Sequence, residues 1–494
     1  MGAEMVPSRQ KEQEEQPPAD PRRWRALAVL GLVQFMLVVD ITVVNVALPR
    51  IQSELTFSRA GLAWVVDGYV LMAGGLLLLG GRLADLFGRR RLFLLGVIVF
   101  AVASVVCGAA TFPGMMISGR FVQGVGEALA QPASLGLIIL LFPDTAERIK
   151  AIGIWGGIAG LAGVSGVVIS GALTDLASWR WIFFINVPIA LFALIMVPRL
   201  VSESRMSRDQ SGRIDVTGAA TAAGGLVAIV YGLLQAAEHS WGSGRVLVPL
   251  AGGLALLAIM VVVEARSDSP LIPLRFFANR TRGVAYFVGL SFGAAFVAFF
   301  FLMTLYLQQV LGYEPLKAGL SYVPLGIAMG VGIGLGTGLM PRVGVKPLLA
   351  LGFFLAAGSM ALASGVETDT NYASGVLPSL VVLGLAAGLV MPTGTSAALH
   401  KVTGDDAGLA SGMQATTQQA GGALGLALLA ALALRHTGDQ VAAGVAPAVA
   451  ATDGFVLSFR VAAVLLVVCG VLVLLLLERV SAEPRSPVAE ISPR

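Results

Sequence analysis

Four ionisable side chains lie within stretches of sequence that are otherwise apolar: Asp40, Asp67, Arg120 and Glu127. A charge inside a membrane span is costly, so such residues usually mark ion pairs or pathways for protons and substrates. An aspartate that faces an arginine in a medium of low dielectric stays ionised until a proton or a substrate breaks the pair. Reversible protonation of a buried carboxylate is therefore the chemistry that these residues could perform.

The spacing of these residues favours a shared site. Glu127 follows Arg120 by two helical turns, so both side chains project from nearly the same face. A rise of about 1.5 Å per residue places Asp40, Asp67 and Arg120 at a similar depth. We interpret all four as proton-coupling residues, the alternatives being a structural ion pair and, for Asp67, an interfacial position. Arg460 is expected to begin its helix and to point outward.

The composition indicates a membrane protein. The chain has 494 residues, of which 56% are hydrophobic and 13% charged, and its mean hydropathy is +0.84. An ordinary soluble domain carries about 25% charged residues. The net charge of +4 comes from Lys and Arg in short loops, so it indicates topology and not a nucleic-acid partner. No Walker motif is present and the three histidines are isolated, so we expect neither a metal nor a cofactor.

Apolar runs of about 20 residues predict fourteen membrane spans in an all-α fold. Most loop Lys and Arg residues lie on one side if the N-terminus is cytoplasmic, so both termini are predicted to be cytoplasmic. The two helices between the bundles are expected to be peripheral additions. The predicted units are a disordered cytoplasmic tail at 1–25, a six-helix bundle at 26–201, two additional transmembrane helices with linkers at 202–282, a second six-helix bundle at 283–478 and a cytoplasmic tail at 479–494.

An internal repeat supports the plan of two bundles. The basic stretch GGRLADLFGRRR at 80–91 is matched by GTGLMPRVGVK at 336–346. Gly81 and Gly88 are expected to allow a tight turn, and Asp85 to cap a helix or pair with an arginine. Parallel repeats of one bundle are a common transporter plan, with the substrate between them.

Two further sets of residues are candidates, one for a helix–helix contact that changes during function and one for the lining of a substrate cavity. Glycines of the fifth span, among them Gly163, Gly166 and Gly171, predict close contact with another helix, either static or able to slide. Polar, Met and Phe side chains would suit varied apolar ligands, although packing or lipid contact is the alternative for each of them. The predicted cavity residues are Asn45, Gln123, Phe296, Phe300, Met303, Met391, Gln414 and Gln418.

Several stretches together resemble the fourteen-helix drug:proton antiporter branch of the major facilitator superfamily along almost the whole chain. They include DITVVNVALP at 40–49, the loop at 81–91, Arg120 with Gln123, Gly124 and Gly126, and WRWIFFINVP at 179–188. Val167 follows Gly166 where this branch has a proline. The resemblance implies the major facilitator fold and proton coupling through Asp40 and Arg120. It also implies a conformational latch against the second bundle, formed by Gly81, Asp85, Gly88 and Arg89, and a hinge in the fifth helix at Gly163, Gly166 and Gly171.

We therefore predict a proton-coupled multidrug and antibiotic efflux transporter of the plasma membrane. It would export hydrophobic substrates, cationic ones included, by alternating access, driven by the proton gradient without a cofactor, and it would be a monomer. One alternative is a lipid or metabolite exporter whose two additional helices gate lateral access. A receptor or scaffold is disfavoured by the repeat, and an enzyme by the lack of a nucleophile, base and orienting group.

Overall fold

A computed structural model describes residues 22–203, 215–267, 277, 279–402 and 407–478. Within those ranges the chain forms helices joined by short turns and no strand. Fourteen helical segments are long and apolar enough to cross a membrane, which confirms the predicted all-α architecture with fourteen spans. Of the predicted tails, only residues 22–25 are described, and Arg23 already begins the first helix.

The first eight spans are numbered α1 to α8 in chain order. They are α1 (Arg23–Leu55), α2 (Arg59–Phe87), α3 (Arg89–Gly108), α4 (Pro113–Leu141), α5 (Thr145–Leu176), α6 (a turn at Trp181–Phe184 followed by Asn186–Leu200), α7 (Val216–Gln235) and α8 (Gly244–Arg266).

The last six spans are α9 to α14. They are α9 (Arg280–Leu305, extended by a π-helical turn at Tyr306–Val310), α10 (Pro315–Ser321 and Val323–Val343), α11 (Val345–Ala363), α12 (a π-helical turn at Tyr372–Val376 and then Leu377–Ala398), α13 (Ala407–Ala442) and α14 (Pro447–Leu476).

The start of α14 differs from the expectation. Arg460 was expected at the beginning of this helix, but α14 begins at Pro447 and Arg460 lies well inside it on an exposed face. Proline is favoured at the first helical position because its missing N–H has no intrahelical partner there. The helix is therefore longer than its apolar run.

Helices α1 to α6 pack mainly on one another, and so do α9 to α14. Glycine permits the closest crossings: a Cβ at Gly80 of α2 would overlap the backbone of Ala128 in α4. Close backbone approach through small residues is the usual packing of membrane helices, because lipid offers no hydrophobic driving force between them.

The repeated turn is formed by a single glycine in each half of the chain. Gly88 joins α2 to α3 with φ of 106°, and Gly344 joins α10 to α11 with φ of 86°. These left-handed conformations favour glycine. Gly81 takes no part in the turn, because α2 continues to Phe87, so the expectation for that residue is wrong.

Of the two additional helices, α7 lies on the seam between the bundles, and α8 lies outside it as the expected peripheral addition. Helix α7 packs against both α2 and α13, and α8 packs on α7 as an antiparallel partner. Arg435 of α13 donates a hydrogen bond of 2.8 Å to the carbonyl oxygen of His239, in the turn between α7 and α8. The hairpin thus bridges one side of the interface between the two halves.

Replacing Gly88 with alanine should destabilise the protein. A Cβ there would be strained by the positive φ and would collide with the carboxylate of Glu203. A left-handed non-glycine residue costs about 1–3 kcal/mol, so the thermal unfolding midpoint of Gly88→Ala in detergent should fall.

Gly81→Ala is the matched control for that experiment. A Cβ at Gly81 meets only Pro132, at an ordinary 3.5 Å. Equal unfolding midpoints for the two variants would contradict the role given to the turn.

Candidate functional site: a buried carboxylate–guanidinium network

An ion pair between α1 and α4 forms the centre of the site. The guanidinium of Arg120 donates a hydrogen bond to Asp40 Oδ2, and the two residues are 1% and 0% exposed. The Arg120 Nε–H also donates to the backbone carbonyl of Val65 in α2, at 2.7 Å. Three spanning helices are therefore held together by one arginine.

Amide and hydroxyl side chains complete the network. Gln123 donates to Asp40 Oδ1 at 3.1 Å and to the Ser104 hydroxyl oxygen at 2.8 Å, and it accepts from Arg120 at 2.9 Å. Asn186 of α6 donates to Asp40 Oδ1 at 2.9 Å. A buried charge is tolerated only when its hydrogen bonds are satisfied, and here both oxygens of Asp40 have donors.

Sequence reasoning did not identify Asn186, Ser104 or Tyr69 as members of this site. Asn186 had a signal, since it is an amide inside the apolar stretch FFINVP. Ser104 and Tyr69 had none, because lone hydroxyl groups are common in spanning helices. The network also places Gln123, a predicted cavity residue, at the charge pair and away from any cavity wall.

Tyr69 connects the ion pair to Glu127. Its ring lies under the Arg120 guanidinium, with the carbon atom 4.3 Å from the ring centroid. Its hydroxyl donates to the backbone carbonyl oxygen of Leu37 at 3.4 Å and lies beside the carboxyl group of Glu127, which is 1% exposed and has one oxygen without a hydrogen-bond partner among the described residues. Glu127 is thus near the pair but separated from it by an aromatic ring.

Asp67 stands apart from the network. It is fully buried in α2, and neither carboxyl oxygen has a hydrogen-bond partner within the described ranges. Asp67 precedes Gly74 by about two helical turns, and Gly74 packs against Gln419 of α13. The structure therefore places Asp67 on the side of α2 that faces the second bundle.

The four residues expected to form a latch make contacts within the first bundle. Asp85 pairs with Arg89 at 2.8 Å, and Arg89 also donates to the carbonyl oxygen of Gly136 at the end of α4. Gly88 forms the turn and Gly81 packs near Pro132. These contacts tie the ends of α2, α3 and α4 together.

The glycines of α5 divide into a packed part and an open part. Gly171 packs against Pro315 and Leu316 of α10, and Gly166 packs against Thr42 of α1. A Cβ at Gly153, Gly156, Gly157 or Gly163 would meet nothing within 4 Å. Helix α5 is continuous through all these positions.

Helix α10 shows the same division. Gly319 packs against the carbonyl oxygen of Val167, whereas a Cβ at Gly330 or Gly334 would meet nothing within 4 Å. Gly330 follows Gly319 by about three helical turns and Gly157 precedes Gly171 by about four, so each helix continues its packed face as an open one. The two helices touch at the end away from the Gly88 turn and are separated toward that turn.

The remaining predicted cavity residues do not form one group. Phe296 and Phe300 are half-buried and belong to an aromatic row in which Phe300 stacks on Tyr322 with centroids 4.9 Å apart. Met303 is fully buried and Met391 is 40% exposed. The others are Asn45 and Gln414, which are nearly buried and each keep one oxygen without a partner among the described residues, and Gln418, which is half-buried on α13.

Comparison with protein families matches residues 30–426 to the model described as Major Facilitator Superfamily. The puromycin resistance protein pur8 of Streptomyces alboniger is 40% identical over 448 residues, which cover 90% of this chain and 88% of that protein. The cephamycin export protein CmcT of Amycolatopsis lactamdurans is 39% identical over 82% of this chain and 84% of its own length. The tetracenomycin C resistance and export protein of Streptomyces glaucescens is 34% identical over 85% of this chain and 77% of its own length.

Solved structures share the fold at low sequence identity. A bacterial homologue of the human lysosomal transporter Spinster, in an inward-facing and unoccupied conformation, is 18% identical with a TM-score of 0.65, covering 92% of this chain and 96% of that one. An auto-inhibited peptide transporter of the POT family is 15% identical with a TM-score of 0.66, covering 90% and 96%.

The stability of the ion pair should depend on both partners being present. Breaking a buried pair by removing one partner costs about 3–5 kcal/mol, because the other charge is left uncompensated. Asp40→Asn and Arg120→Gln should each lower the thermal unfolding midpoint in detergent, and the double variant should lose less than the sum. Arg460→Gln, at an exposed charge in α14, should change it little; additive losses in the double variant would contradict a coupled pair.

Proposed function

Because this chain belongs to the Major Facilitator Superfamily, we propose that it is a proton-coupled efflux transporter for hydrophobic small molecules, antibiotics and cationic drugs included. The observation that carries the proposal is the Asp40–Arg120 pair, fully buried in spanning helices. Ionisable residues at such positions usually belong to proton or substrate pathways. The names of the relatives, which refer to puromycin resistance and to cephamycin and tetracenomycin export, support the substrate class.

The coupling step is protonation of the network from outside. A proton on Asp40 removes the charge that attracts Arg120, which keeps its bonds to Val65 and Gln123. Glu127, linked through Tyr69, is the second carboxyl group of the relay, and Asp67 is a third at the face toward the second bundle. Loss of the pair changes the relative free energies of the two arrangements of the bundles. Substrate and proton thus compete for the same state.

The end that carries the Gly88 turn is the cytoplasmic end in this proposal. Arg82, Arg89, Arg90 and Arg91 lie there, and cytoplasmic loops are enriched in such residues. Both termini are then cytoplasmic, the protein is a monomer of the plasma membrane, and the separation of α5 from α10 opens toward the cytoplasm. The described conformation is accordingly the one that loads substrate.

The turn and the aromatic row have parts in this cycle. Asp85, Arg89, Gly81 and Gly88 hold the ends of α2, α3 and α4 as one unit, and in this proposal that unit acts as the latch against the second bundle when the bundles rock. Phe296 and Phe300, with Tyr322, offer stacked rings at the centre of the chain's second half, and flat apolar molecules would pack against them.

Replacing Asp40 with asparagine should abolish transport driven by a pH gradient. The measurement is ethidium and puromycin movement in everted membrane vesicles, with and without an imposed gradient. Gradient-free exchange of substrate should survive, because the two bundles still move, while accumulation is lost. Arg460→Gln serves as the control with normal accumulation; accumulation by Asp40→Asn at the wild-type level would refute proton coupling at this residue.

A bulky residue on the open face of α5 should block the transport cycle without unfolding the protein. Gly156 precedes Gly171 by 15 residues and Gly330 follows Pro315 by 15, so both lie about 22 Å from the packed ends and would meet if the helices closed. Gly156→Leu has room in the described conformation, so its unfolding midpoint should be normal while efflux falls at least tenfold.

The matched control is Gly252→Leu on α8, where a Cβ also meets nothing within 4 Å. That position does not face α10, so efflux should be retained. Normal efflux by Gly156→Leu would exclude closure of α5 on α10 as a required step.

A further inference from the structure

We propose that Asn186 is a positioning residue that sets the protonation equilibrium of Asp40. This inference rests on the proposed role of Asp40 as proton carrier. It concerns a residue of α6 that touches neither the lipid nor an open cavity, since Asn186 is only 1% exposed. Its position follows from the local fold, because the first turn of α6 ends at Phe184 and the helix begins again at Asn186.

Among the described residues, the side-chain amide of Asn186 donates to two acceptors in neighbouring helices. Its Nδ2 donates to Asp40 Oδ1 at 2.9 Å and lies 3.3 Å from the Ser104 hydroxyl oxygen. An ionised carboxylate only accepts hydrogen bonds, so the amide is placed to favour the charged form of Asp40.

An amide suits both states of the carboxyl group. Asparagine carries a donor and an acceptor on one planar group, so after protonation of Asp40 it can turn and accept from the acid. The other partners of Asp40 are less able to change from donor to acceptor. Arg120 has donors only, and the amide of Gln123 is already held by hydrogen bonds with Arg120 and Ser104. Asn186 is therefore the partner that can hydrogen-bond to Asp40 in both of its protonation states.

The charged and titratable groups around Asp40 come from three helices. They are Arg120 and Glu127 of α4, Tyr69 of α2 and Cys107 of α3. From α6, the neutral side chain of Asn186 donates a hydrogen bond to Asp40. Replacing it therefore changes the hydrogen bonding of the carboxyl group but leaves these four groups in place.

The test is a pH titration of reconstituted protein by infrared difference spectroscopy. The carboxylic-acid C=O band of Asp40 is identified by its loss in Asp40→Asn. In Asn186→Leu, of similar volume but without the amide, the midpoint of this band should move to higher pH by about one unit, as expected for one lost hydrogen bond to a charged group. Asn186→Asp, which sets a second carboxyl group beside the first, should move it further in the same direction.

Two controls make the outcome decisive. Ser458→Ala removes a buried hydroxyl of α14 that donates to the carbonyl oxygen of Leu429 and leaves every contact of Asp40 in place, so the midpoint should stay at the wild-type value. A purely structural role of Asn186 would lower the unfolding midpoint in Asn186→Leu and leave the titration unchanged, which overturns the inference. If Asn186→Leu does not accumulate in the membrane, Asn186→Asp decides by the same criterion.

Failure of this inference is separable from failure of the proposed function. Suppose that transport by Asp40→Asn no longer responds to a pH gradient, while the band is unshifted in both Asn186 variants. The proposal of proton coupling at Asp40 would then stand, and only the role of Asn186 would be refuted. A band that persists in Asp40→Asn would show that Asp40 does not titrate, and would overturn the inference directly.

Discussion

The structure of the first bundle depends on keeping one carboxylate and one guanidinium in a medium without water. Such a pair is tolerated only if its own donors and acceptors have partners. That requirement brings α1, α2, α3, α4 and α6 to one point, through Arg120 to Val65, Gln123 to Ser104 and Asn186 to Asp40. The arrangement holds these helices as a unit, and three of the bonds among them end on the single carboxylate of Asp40.

The two halves of the chain share a backbone plan but not this chemistry. Gly88 and Gly344 are 256 residues apart and have the same kind of positive φ. At the same offset, Asp40 corresponds to Phe296 and Arg120 to Val376. The second half therefore offers an apolar, aromatic surface where the first has an ion pair, so the ionisable network and the aromatic row lie in different bundles.

The sequence allows the number of spans, the repeat and the partners of the ion pair to be predicted, because burial of charge and apolar length are local signals. Asp40 and Arg120 could be paired in advance, since each needs a counter-charge. The roles of Asn186 and Tyr69 could not, because a neutral polar group in a span carries no such demand. The packing of α7 and α8 could not be predicted either, since apolar length does not say which neighbour a helix packs against. Nor could Gly81 be excluded from the turn, because a helix can either end at a glycine or continue through it.

The hairpin on the seam makes the two sides of the molecule unequal for a molecule dissolved in the bilayer. On one side α7 covers the line where α2 meets α13. On the other side α5 and α10 separate along their glycine faces, with no helix among the described residues bridging that gap. Under the proposed function, the described residues thus leave an opening on one side of the molecule, so the direction of approach in the membrane plane, as well as the affinity of the interior, would govern which lipophilic compounds are captured.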